Sequence, residues 1–167
     1  TETKVKTKIL AGVSNLVYNE VLGNVMQGNL DQLGPPEFTK EEKVYAKKYQ
    51  DTLSRKDIES AYSHAGIDLV EGQVLPESVV PNDAKPVDMG GSTDVADVSW
   101  VVPTVSLWGA NYAIGTPFHS WQMTAQGKSS IAIKGMTHAA MVMAATGSDL
   151  ISNKTILDDA WSEHNKT

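Results

Sequence analysis

An α/β fold is predicted for this chain of 167 residues on three observations. The run Lys4-Val5-Lys6-Thr7-Lys8-Ile9-Leu10 alternates with a period of two, placing Val5, Thr7 and Ile9 on one face of a strand and three lysines on the other. Residues 101–114 are apolar and rich in β-branched and aromatic side chains, which predicts a buried strand after Pro103. The segments between and beyond these two carry apolar residues at the three-and-four spacing of helices. The order is one strand, two helices, a connector, a buried strand and a long helix. Two strands are too few for a complete sheet, so their partners are expected elsewhere.

The helical segments carry their own start and stop signals. Asn19 is placed to cap a helix with Val21, Leu22, Val25, Met26, Leu30 and Leu33 on its apolar side, and Glu20 suits the positive end of its dipole. Gly34-Pro35-Pro36 ends it, because glycine takes the left-handed cap and proline cannot continue the ladder. Thr39-Lys40-Glu41-Glu42 reads as a capping box opening a second helix, with Tyr45, Tyr49 and Leu53 on one stripe and a solvated Lys/Glu face. Residues 66–89, punctuated by Pro76, Pro81 and Pro86, are expected to run as an extended connector over the surface. Ser92 or Asp94 can cap a short helix through Val95 to Trp100. Residues 129–150 predict a long helix whose Met136, Ala140, Met143 and Ala144 side is expected to be core. Residues 155–163 predict a short terminal helix with Leu157 and Trp161 four apart.

Composition narrows the function. With 41% hydrophobic and 20% charged residues the chain is ordinary for a globular domain. A net charge of −6 argues against nucleic-acid binding, which needs a basic face against phosphates. Arg55 is the sole arginine, so bidentate forks are scarce. The absence of cysteine removes disulfides, thiolate nucleophiles and thiolate-bound zinc, and no apolar run reaches the roughly 20 residues that span a bilayer. A cytoplasmic location is the expectation. The sequence opens at Thr1 without a methionine and runs straight into the alternating segment, and it is therefore read as part of an enzyme.

One candidate group stands out. The apolar run ends in Gly115-Thr116-Pro117-Phe118-His119-Ser120-Trp121, a proline-fixed turn that presents His119 between two aromatics. Imidazole is the commonest side-chain metal ligand, and a stiff turn lowers the entropy lost in holding it. Upstream, Ser92, Thr93, Asp94 and Asp97 form a hydroxyl- and acid-rich loop of the kind that orients a ligating histidine or touches substrate. His64, His138 and His164 carry no such context and are read as structural. The sequence holds no HExxH, GxSxG, phosphate-binding glycine loop or His-x-Asp pair.

The Gly90-Gly91-Ser92-Thr93-Asp94-Val95-Ala96-Asp97-Val98-Ser99-Trp100 stretch, followed by the Gly115-to-Trp121 turn, resembles the C-terminal portion of M20-family metal-dependent amidohydrolases. Within that family it is similar to the p-aminobenzoyl-glutamate hydrolase group. The similarity continues through Lys134-Gly135-Met136 and back to Leu33-Gly34-Pro35-Pro36-Glu37-Phe38-Thr39, so it covers nearly the whole chain. The resemblance implies a zinc-peptidase-like catalytic domain, of which residues 15–167 would be the closing half, and a ferredoxin-like, dimerising lid, of which residues 1–14 would supply the last strand. It implies His119 as a metal ligand, Ser92, Thr93 and Asp94 as groups at the substrate or beside the ligands, and a divalent ion (zinc or manganese). The site would be incomplete in this chain, because the family's other ligands and its general-base glutamate fall in a preceding N-terminal half. Ile133 departs from the pattern, standing where a histidine is expected. The implied partners are that missing half, a small amide substrate such as p-aminobenzoyl-glutamate, and a second copy in a homo-oligomer, with no membrane. A non-catalytic partner subunit and a binding module that completes its site with another chain are the alternatives.

Overall fold

The structure is a computed structural model that describes residues 2–84 and 93–166. Seven helices account for its regular structure: α1 Glu20–Leu33, α2 Lys40–Gln50, α3 Arg55–Ala65, α4 Val95–Ser99, α5 Trp121–Gln126, α6 Ser130–Ser152 and α7 Lys154–His164. Among the described residues there is no strand and no sheet, which overturns the α/β expectation and its ferredoxin-like strand. A strand exists only if a neighbour completes its hydrogen-bond ladder. Residues 4–10 have the alternation but no neighbour, and Val5 and Ile9 are 89% and 87% exposed. Residues 101–114 likewise make one backbone bond to a distant segment, from the Ile114 amide to the Val74 carbonyl at 2.9 Å. Both runs are irregular in this chain.

Helix α6 is the spine. Its C-terminal part packs on α1 and α7. Asn19, almost fully buried, fixes the start of α1 and joins it to α7: its carbonyl oxygen accepts from the Leu22 amide at 3.0 Å, and its amide donates to the Ala160 carbonyl at 2.9 Å. The Glu163 carboxylate of α7 accepts from the Glu20 and Val21 amides at 2.7 and 3.0 Å, so a neighbouring helix helps satisfy the donors that α1's first turn leaves open. Those two amide bonds hold the Glu163 carboxyl below its ordinary range.

The N-terminal part of α6 meets a second core in which Ala46, Val74, Leu75, Ala113 and Ile131 are buried against Phe38, Tyr45 and Tyr49. Leu75 is thus a core residue, and the connector expected to lie on the surface dips inward there. The Thr39 capping box forms as the sequence predicts, and Glu42 takes a further role. Lys134 of α6 donates to the Glu42 carboxylate at 2.7 Å and to the Glu37 carbonyl at 2.9 Å, with its ammonium 5.9 Å above the Phe38 ring. Burial pushes the Glu42 carboxyl upward, but bonds from Lys134, Ser130 and the Thr39 amide outweigh it and leave the group below its ordinary range. One turn on, His138 Nε2 donates to the Gly34 carbonyl at 2.6 Å, because a carbonyl only accepts. His138 is therefore a tie between α6 and the end of α1.

The methionine side of α6 is exposed in this chain, not core. Ile131, Gly135, Val142 and Thr146 point inward, whereas Met136 is 61% and Met143 60% exposed. Both faces of α6 are apolar, and the hydrophobic packing of these residues uses the face opposite to the methionines. No helix among the described residues is long and apolar enough to cross a membrane.

Candidate functional site

The turn that carries His119 is built from buried parts. Gly115 has φ +91°, and a Cβ there would lie 3.0 Å from both Cα and Cγ1 of Ile58, so the chain reverses against α3 where a side chain does not fit. Thr116 closes the turn by donating its hydroxyl to the Ala113 carbonyl at 2.7 Å. Ser120 donates to the Pro117 carbonyl at 2.7 Å and accepts from the Met123 amide at 3.2 Å, which caps α5. Between these fixed points His119 adopts φ 58°, the left-handed region that non-glycine residues rarely take. Its side chain is exposed. A strained backbone at an exposed imidazole, over-determined by its surroundings, marks a functional turn.

Gln126 is the residue that sequence reading misses. It is 1% exposed, and its carbonyl oxygen accepts from the Ala113 amide at 2.8 Å. Its amide group donates to the Thr116 hydroxyl and to the Gln122 carbonyl, both at 3.1 Å. One buried side chain therefore ties together the strand-like run, the turn and α5. Nothing in the string WQMTAQ distinguishes such a glutamine from a solvated helical one. Gln126→Leu is expected to leave the buried Ala113 amide without an acceptor and to cost about 2–3 kcal/mol of stability. Hydrogen exchange at the Ala113 amide checks this, and unchanged protection would contradict it.

Aromatic rings surround the turn. Phe118 lies 5.6 Å from Trp108 and 6.1 Å from Tyr112, edge-on to the latter, while Trp121 lies 6.2 Å from Tyr49 of α2. Trp108 is 67% and Phe118 44% exposed. Burial raises the Tyr112 phenol above its ordinary value, consistent with its place beneath this group.

The upstream loop is separate from the turn. Ser92 lies outside the described residues. The short helix expected after it is present as α4, but its first amide is met by the Thr93 hydroxyl, which accepts from Val95 at 3.3 Å, and Asp94 makes no cap bond. α4 is anchored to residues 15–17: Ser99 accepts from the Val17 amide at 2.8 Å, and the Trp100 indole donates to the Asn15 carbonyl at 2.9 Å. Among the described residues, no group of three or more acidic or histidine side chains is placed to hold a metal. His119 alone does not make such a site. Two open clefts of about 340 Å³ lie away from it, one between α2 and the α5–α6 junction and one around Pro35, Pro36 and Pro76.

No family model and no solved structure matches the chain. A curated protein does: the chain is 36% identical, over 98% of its own length, to a hydrolase component of Escherichia coli (strain K12). That protein is one of the subunits of p-aminobenzoyl-glutamate hydrolase, and the chain belongs to its family, in agreement with the resemblance read from the two motifs. The chain spans 36% of the length of this relative.

Proposed function

We propose that the chain is part of an amide hydrolase that acts on N-acyl or aryl-amide amino acids, p-aminobenzoyl-glutamate among them. The observation that carries this reading is the match to a component of p-aminobenzoyl-glutamate hydrolase across 98% of the chain, a span that includes the His119 turn. In this reading His119 is the chain's contribution to a divalent-ion site, zinc or manganese, whose remaining donors come from outside these residues. Thr93 and Asp94, with Ser92, stand at the substrate side of the same site. The ion would polarise the scissile carbonyl and activate water. What this chain supplies is positional: the Gln126 clamp, Gly115 and the Ser120 cap hold one imidazole outward at a fixed place, so that little entropy is lost when a ligand engages it. The relative's name makes it one subunit of an assembly, and a partner subunit is proposed here on the same ground.

The test is direct. The complete protein that contains this chain is expected to release p-aminobenzoate from p-aminobenzoyl-glutamate, measured by chromatography of the products. Failure to cleave that compound or any other N-acyl or aryl-amide amino acid would overturn the proposal.

A further inference from the structure

The exposed rings beside His119 have a chemistry that the fold does not consume. Trp108 and Phe118 form a tilted pair at 5.6 Å, backed by Tyr112 at 6.1 Å, and the outer two rings are 67% and 44% exposed. Their backbone is held from below: Gly109 and the Ala110–Asn111 peptide lie against α6, and the Gln126 clamp fixes the run on its other side. Ordered aromatic faces of this kind attract another ring in stacked or edge-on geometry.

We infer that the Trp108–Phe118 pair is the surface that receives the aromatic half of an aryl-amide substrate and so sets a preference for aryl over alkyl acyl groups. The inference rests on the hydrolase reading above and deepens it. In an aryl amide the ring is bonded directly to the scissile carbonyl carbon, so whatever contacts the ring must sit beside the group that engages the amide. Phe118 meets that requirement, since it immediately precedes His119 and consecutive Cα atoms lie about 3.8 Å apart. Trp108 extends the same face outward, away from the imidazole. Trp121, the other exposed ring near the turn, packs towards Tyr49 of α2 and belongs to a different surface.

The experiment compares p-aminobenzoyl-glutamate with N-acetyl-glutamate as substrates of the complete enzyme. For Trp108→Ala, KM for the aryl substrate is expected to rise about five- to tenfold with kcat little changed, the effect of losing one aromatic contact. The acetyl substrate is expected to be unaffected. Trp108→Phe, which keeps a ring, should restore most of the lost affinity. Because Trp108 is mainly exposed, an unchanged melting temperature is expected for both variants. Equal losses on both substrates, or no loss on either, would overturn the inference while leaving the hydrolase reading intact. If the unaltered enzyme cleaves neither substrate, the hydrolase reading itself fails, and this inference falls with it.

Discussion

Gly135→Ala is expected to destabilise the chain by about 3 kcal/mol, the reverse of what alanine does in most helices. A Cβ at Gly135 would sit 2.3 Å from the Ala110 carbonyl oxygen, 2.7 Å from its carbon and 3.0 Å from Asn111 Cα. All three are backbone atoms, so no rotamer change relieves the overlap. α6 would have to move away from the run that leads into the His119 turn. Gly147 of the same helix is the internal control, because a Cβ there meets nothing within 4 Å. Gly147→Ala should be neutral or stabilising by up to about 1 kcal/mol, since it removes backbone freedom from the unfolded chain without a new clash. Urea denaturation of the two variants settles the comparison. Equal stability of Gly135→Ala and Gly147→Ala would show that the close approach of α6 to residues 110–111 is not a feature of the fold.

What could be read from the sequence was what is decided locally. The Asn19 cap, the Gly34-Pro35-Pro36 stop, the Thr39 capping box and the long α6 all appear where expected, because a helix closes its hydrogen bonds within four residues. The alternation of residues 4–10 and the apolar run at 101–114 carried the right pattern for strands, but a strand also depends on a neighbour that its own residues do not specify. The orientation of α6 failed for a different reason. Its inward residues Ile131 and Val142 and its outward residues Met136 and Met143 are equally apolar, so periodicity reveals two apolar faces without saying which one packs here.

The site was legible to the same degree. The Gly115-to-Trp121 turn stood out because glycine, proline and histidine each constrain the backbone or the chemistry in a way the sequence shows. Its left-handed His119 and its buried Gln126 did not stand out, since both arise from contacts between segments distant in space from the local pattern. Arg55, singled out as the sole arginine, is engaged on the surface with Glu59 and Glu71, which accounts for it without a ligand.

The most direct test of the account concerns the imidazole itself, in the complete enzyme. His119→Ala is expected to lower kcat/KM for p-aminobenzoyl-glutamate by more than the roughly hundredfold that losing a supporting partner of a metal ligand costs, and to lower the metal bound per protein. His119→Asn should behave the same way, because asparagine tolerates the left-handed backbone at φ 58° while lacking the ring, which separates the loss of imidazole from the loss of the turn. Full turnover and full metal content in both variants would remove His119 from the site and contradict the account.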